Sequence, residues 1–405
     1  MNGLQIQKVH GRAKTHQDET RQGHGWQTEP KSLFGKKGLI RMIPGLEWNP
    51  MNANGKITLK RIREDEADRW DKLVDSSPHG TVFHTWDFVS TMAEHARMRI
   101  LGGDIKPTFH PLIVEHDGRD IGLIPLYEFR GGLIRYVFSP PPHTAVTYLG
   151  PVLNFPEGLR QSTWEKTHRM FHDAVEEYLK RLRPQAIRIR TPPGYTDMRQ
   201  FLWRGYHVSP LYNYVLDLAR GVDALSEGLG SDNRKTLSRT ERAGYEVSEG
   251  SLSDVERLFR HQESRYLEQG LDMNITLEYV KDLWGRCGNV KLKVFVIRRG
   301  GEYVSATLEA TYKGKMSGWV GLPRSNSKAG DPNFLLMWDV IKWGASNGFR
   351  EYETIWANQE RMNEFKTKVN PKPSTYYSAL KMSAAFKLTR SLKSALMEKK
   401  WDRYV

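Results

Sequence analysis

The chain has 405 residues, 39% hydrophobic and 11% aromatic, which excludes wholesale disorder and is too long for one ordinary core. Lys and Arg outnumber Asp and Glu by 61 to 47, so RNA, a phosphorylated cofactor or a lipid headgroup is a compatible partner at a net charge of +14. The single cysteine, Cys287, excludes an internal disulfide framework and fits a reducing, cytoplasmic setting, and neither a long apolar run nor a signal-peptide order is present.

Residues 1–55 are polar and rich in Gly, Gln and His, without helical or strand periodicity, and read as a flexible extension. Order begins at 56. The strand KITLKRI is followed by the helix 64–77, a turn at Ser77 to Gly80, and a short extended piece that enters a helix over 81–96. Strands 109–116 and 120–130 flank the turn residues Asp117 and Gly118, a hairpin signal, and 133–139 continues the sheet. Three prolines at 140–142 stiffen the next loop. A helix over 163–183 and the strands 186–190 and 212–218 then complete the first half.

The second half repeats that order. The basic stretch 232–243, with Arg234, Lys235, Arg239 and Arg242, leads into strand 245–249, then helices over 253–269 and 276–287. Residues 290–322 give three antiparallel strands, joined by turns at Gly300 to Gly301 and Lys313 to Gly314. Helix 334–346, strand 350–356, a short helix over 363–369 and strand 375–382 follow. The shared order points to tandem copies of one fold. Beyond it, 386–405 spaces Leu388, Leu392 and Leu396 along a basic amphipathic helix, which can dock on the chain itself or touch anionic lipid or RNA.

The blocks SPHGTVFHTWDF, NRKTLSRTERAGYEV, YVSATLEATYKGKMSGWVGL, NFLLMWDVIKWGASNGFREYE and NEFKTKVNP, in this order, resemble the tandem GNAT-fold acyltransferases of the Fem type and their CelD-like relatives. The likeness spans about 58–385. It implies an α/β (α+β) fold of two tandem GNAT-like domains, 56–218 and 219–385, each a mixed, mainly antiparallel sheet flanked by helices. It also implies transfer of an acyl or aminoacyl group to an amine. Aminoacyl-tRNA or acyl-coenzyme A is then the co-substrate, with no permanently bound cofactor and no metal.

Such a reaction needs a cation for the oxyanion and a base for the amine proton. By resemblance, Phe365 and Lys366 match the family's Phe-Lys pair, with Lys366 placed to stabilise developing negative charge. Alternation along EYVSATLEATY puts Ser305, Thr307, Glu309 and Thr311 on one face, with Glu309 the only carboxylate there and the first candidate base. Glu353 and Asp331 are second candidates. After Glu353 the family often continues with small, Gly-rich residues, where this chain has Trp356 and Ala357.

Around the donor, Arg324, Lys328 and a lone Gly330 replace a glycine-rich phosphate turn, which tips the reading from coenzyme A toward aminoacyl-tRNA. His84 and Trp86 match the acceptor-side block of peptidoglycan-modifying members. No Lys follows in the next helical turn, where Met92 and Glu94 stand. His168 and His172 lie four apart on a helix, without the Glu of the zinc-protease pattern, and read as packed or solvated. The alternative to an enzyme is a nucleic-acid-binding protein, gripping phosphates through the basic helix and tail on inert GNAT-like domains.

Overall fold

The computed structural model describes residues 55–100, 102–270, 275–323 and 329–384, together with 47–48, 51–52, 273 and 386. Arg324, Lys328, the tail beyond 386 and nearly all of the amino-terminal extension lie outside them. Short strands Glu47–Trp48 and Met51–Asn52 nevertheless pair with the first long strand, Gly55–Arg61. This edge pairing uses backbone groups only, so hydrophobic periodicity gives no sign of it.

Local chemistry sets the elements as expected. Asp117 and Gly118 have φ of 49° and 78°, and Lys313 and Gly314 have φ of 50° and 73°. Both pairs therefore make two-residue turns of the type that matches strand twist, joining Thr108–His116 to Arg119–Gly131 and Glu302–Tyr312 to Lys315–Gly321. Helix Leu252–Glu268 starts at a reciprocal Ser251 and Asp254 cap, and helix Pro332–Ser346 starts at Asp331 with Pro332 in its first turn.

The tandem order closes into one continuous sheet through an exchange of strands. In the first half Gly55–Arg61, Thr108–His116, Arg119–Gly131, Ile134–Ser139 and Ala186–Arg190 lie side by side. In the second, Tyr245–Glu249, Leu292–Arg299, Glu302–Tyr312, Lys315–Gly321 and Glu351–Thr354 do the same. Each half contains one parallel pair, Ile134–Ser139 with Ala186–Arg190 and Lys315–Gly321 with Glu351–Thr354. The last strand of each half then crosses over. Lys372–Met382 pairs with Ala186–Arg190, His207–Asp217 pairs with Glu351–Thr354, and these two exchanged strands pair with each other. The sequence predicts two domains. In the described residues, neither half closes its own sheet without a strand from the other.

Three apolar clusters cover the sheet. One spans both halves on a single face and includes Trp70, Phe83, Phe88, Leu258, Tyr279, Trp319 and Tyr376. The opposite face carries a first-half cluster around Leu126, Phe171 and Leu179, and a second-half cluster under helix Pro332–Ser346 around Phe334, Ile341 and Tyr352. Each large apolar side chain buried this way contributes about 1.5–3 kcal/mol.

Candidate active site

The second half's parallel pair splays apart. Register runs from Lys315 opposite Glu351 to Gly318 opposite Thr354 and stops there, while Lys315–Gly321 continues along its other neighbour. A bulge between Leu308 and Glu309 leaves Trp319 as the extra residue on the facing strand, and its indole donates to Ala145 O of the first half at 3.1 Å. The other strand leaves through Trp356, whose φ of 66° is left-handed backbone for a bulky residue. That conformation costs on the order of 1–3 kcal/mol and persists only where the surroundings hold it.

Two groups hold it. Asn213 Oδ1 accepts from the Trp356 backbone N–H at 3.0 Å, and Lys366 Nζ donates to Trp356 O at 2.7 Å and to Ile355 O. Lys366 ends the short helix Glu360–Lys366 and is buried, and among the described residues no carboxylate pairs with it. Burial without a counter-charge pulls its pKa down to about 8. Phe365 packs on the second-half cluster, with Lys368 Nζ 5.3 Å from its ring centre.

Glu353 shares this network. Its Oε1 accepts from Asn213 Nδ2 at 2.9 Å, and Oε2 accepts from Tyr148 at 2.6 Å and from Ser317 at 3.2 Å. Burial pushes the Glu353 pKa up, and the three donors offset part of the rise. With both oxygens engaged, Glu353 fixes Asn213 and hence the backbone that receives Lys366.

Glu309 is fully buried on the face covered by helix Pro332–Ser346. Its Oε1 accepts from Thr307 Oγ1 at 2.7 Å, and the Tyr352 hydroxyl lies beside the carboxylate at Gly318. Burial raises its pKa to about 7, against the lowering effect of the Thr307 and Tyr352 hydroxyls. Glycine at 318 leaves room for this buried carboxylate and the Tyr352 hydroxyl. A Cβ there would lie 2.9 Å from the Tyr352 hydroxyl and 3.5 Å from Glu309 Oε2.

The remaining candidates lie elsewhere. Asp331 caps helix Pro332–Ser346 by accepting from Phe334 N–H at 3.1 Å, and Lys368 pairs with its other oxygen at 2.7 Å. His84 is fully buried with both ring nitrogens committed, Nδ1 to Thr81 and Nε2 to Leu149 O at 2.9 Å. Trp86 packs against Trp70 and Phe109 in the first half. These two residues hold the core rather than facing the splay. His168 and His172 point their Nε2 atoms at one hydroxyl, Tyr195, at 2.6 and 2.7 Å.

The basic stretch forms helix Ser231–Arg242. Arg234 binds the carbonyl of Leu229 and Lys235 lies 3.7 Å from Asp232, so part of its charge is spent locally. Tyr148, Asn213, Ser317 and Tyr352 escape the sequence reading. Only their meeting across strands marks them, and an isolated Tyr, Asn or Ser carries no such signal. No described helix is long and apolar enough to cross a membrane.

A family model described as Acetyltransferase (GNAT) domain matches residues 231–367. No curated protein matches the sequence. The structure of FemX superimposes with a TM-score of 0.57 at 12% identity, covering 84% of this chain and 100% of FemX. The C-terminal domain of a putative lysylphosphatidylglycerol synthetase from Agrobacterium fabrum aligns at TM-score 0.49 and 14% identity, over 83% of this chain and 98% of its own. A tandem GNAT protein from the clavulanic acid biosynthesis pathway aligns at 0.48 and 13%, over 80% and 98%. Residues 231–367 match the acetyltransferase (GNAT) domain family, and the chain is similar in fold to FemX.

Proposed function

We propose that the chain is an N-acyltransferase, moving an acyl or aminoacyl group from an activated donor to an amine at the splay between Gly318 and Thr354. The observation that carries this reading is Lys366, a buried ammonium with no carboxylate partner, held by two carbonyls where the strands part. Two of its three N–H groups are used there. The third is free to meet the oxyanion formed when the amine adds to the donor carbonyl. Glu309, whose Oε2 faces Gly318 beside the Tyr352 hydroxyl and whose pKa is about 7, takes the amine proton and returns it to the leaving oxygen or sulfur as the new C–N bond replaces the ester or thioester.

For the donor, the favoured reading is aminoacyl-tRNA. A pyrophosphate seated at a helix N-terminus needs free backbone N–H groups and no competing anion. Helix Pro332–Ser346 offers the reverse, since Pro332 lacks an N–H, the Asp331 carboxylate occupies the Phe334 N–H, and Lys368 already neutralises Asp331. Acyl-coenzyme A is the second reading, favoured by the family match. The acceptor is an amine-bearing molecule.

The test is single-turnover discharge of radiolabelled bulk aminoacyl-tRNA, and separately of acetyl-coenzyme A, in the presence of a pool of small amines. Wild type should transfer label from one donor into a stable amide, and Lys366→Met should slow transfer by about 10² to 10³. Equal rates in both proteins would discard the role of Lys366. Salt-sensitive tRNA binding without transfer from either donor would instead favour the nucleic-acid-binding reading.

A further inference from the structure

We propose that Arg190 is a docking point for an anionic group, a carboxylate or a phosphate, carried by the acceptor amine, and that it seats this group beside Trp356. The proposal deepens the acyl-transfer reading and rests on it for the word acceptor, but the anion site itself stands on geometry.

Arg190 ends the strand Ala186–Arg190, where pairing with the exchanged strand stops at Ser378. Its guanidinium lies over the Trp356 ring, 6.0 Å from the centre, and its Nε is shut off from solvent with no hydrogen-bond partner. Among the described residues no carboxylate pairs with it. Other partly buried arginines contrast with this. Arg69 reaches Glu115 and Asp120, Arg135 reaches Glu128 at 2.8 Å, and Arg204 reaches Asp173 at 2.5 Å. Glu353, which like Arg190 lies close enough to act on the Tyr376 hydroxyl, already serves Tyr148, Asn213 and Ser317.

Two cations without anions therefore flank one aromatic residue, Arg190 at the Trp356 ring and Lys366 at the Trp356 carbonyl. Partly desolvated charges in this state stabilise an incoming anion far more than exposed ones do, and the planar guanidinium suits two-oxygen groups. The approach is open. Trp356 is 38% exposed and Tyr212 is 41% exposed, and Asn358 joins them by accepting from Tyr212 N–H at 2.8 Å.

The experiment is calorimetric titration of the full chain with inorganic phosphate, and separately with succinate, at constant ionic strength. One saturable site is expected for at least one of the two anions in wild type. Arg190→Gln should weaken it at least tenfold, and Arg190→Lys, which keeps charge but loses the fork, should fall between. If Arg190→Gln is poorly folded, Arg190→Lys against wild type decides alone. Phosphate preference would indicate a phosphorylated acceptor, and succinate preference a carboxylate. No saturable site in wild type, or equal affinity in the variants, overturns the proposal. A selective loss of bulk tRNA affinity in Arg190→Gln, with phosphate and succinate binding unchanged, overturns it too, because the residue would then serve the donor. A loss of anion binding with donor discharge intact leaves the acyl-transfer reading untouched, so the two claims fail separately.

Discussion

Lys366 and Glu353 are tied to the same residue, Trp356: the Lys366 ammonium donates to Trp356 O at 2.7 Å, while Trp356 N–H donates to Asn213, which donates to Glu353 at 2.9 Å. Removing the carboxylate should therefore loosen the cation. Glu353→Gln, which can orient its amide oxygen toward only part of the three donors, should lower kcat with little change in donor affinity and shift the alkaline pH limit set by Lys366. An unchanged pH profile would show that the link is structural only.

The pH dependence of the reaction follows from two groups. Glu309 must be deprotonated and Lys366 protonated, which brackets activity between about 7 and about 8. Lys366→Arg, whose guanidinium stays charged, should abolish the fall in rate above about 8. A fall that persists in this variant would assign the alkaline limb to another group.

Glu309 also has a stability signature. Its folded pKa, about 7, is above the unfolded value of 4.5, so its contribution is fully present below pH 4.5 and is lost as pH rises through 7. Between pH 5 and 8, wild type should lose stability to urea relative to Glu309→Gln. Parallel curves for the two proteins would contradict a raised Glu309.

Gly318→Ala places a methyl 2.9 Å from the Tyr352 hydroxyl and 3.5 Å from Glu309 Oε2. The fold should tolerate it with a loss of about 1–3 kcal/mol, as for other small overpackings. Transfer should drop at least tenfold because the methyl stands between Glu309 and the amine. Full activity would place the amine elsewhere.

The exchanged strands make a claim about cooperativity. Since His207–Asp217 and Lys372–Met382 each complete the other half's sheet, urea unfolding should be one transition, with tryptophan fluorescence and far-ultraviolet circular dichroism coincident. Two separated transitions would mean that the halves are stable alone.

Much of this was legible in the sequence, for local reasons. Turn residues such as Asp117 to Gly118 and the alternation around Glu309 act within a few residues, and the order of elements in the two halves follows from them, whereas Asp331, read as a candidate base, caps a helix. Lys366 came from resemblance, and its burial and lone charge belong to the structure. Alternation alone sets Glu309 on a polar face; helix Pro332–Ser346 covers that face and turns a solvent position into a buried acid. The strand exchange was not legible. It pairs residues about 190 apart, as in Arg190 with Ser378, and no short-range pattern encodes that choice. His84 and Trp86 matched a motif whose side chains here hold the core.

The most direct test of the central claim is equilibrium binding of the full chain to aminoacylated tRNA, deacylated tRNA and coenzyme A at two salt concentrations. A preference for the aminoacylated form of at least tenfold is expected at both salts, kept in Lys366→Met because the lost contact is to the oxyanion, with coenzyme A binding no tighter than about 1 mM. Coenzyme A binding near 1 μM, or tRNA binding that is blind to the aminoacyl group and vanishes with salt, would contradict it.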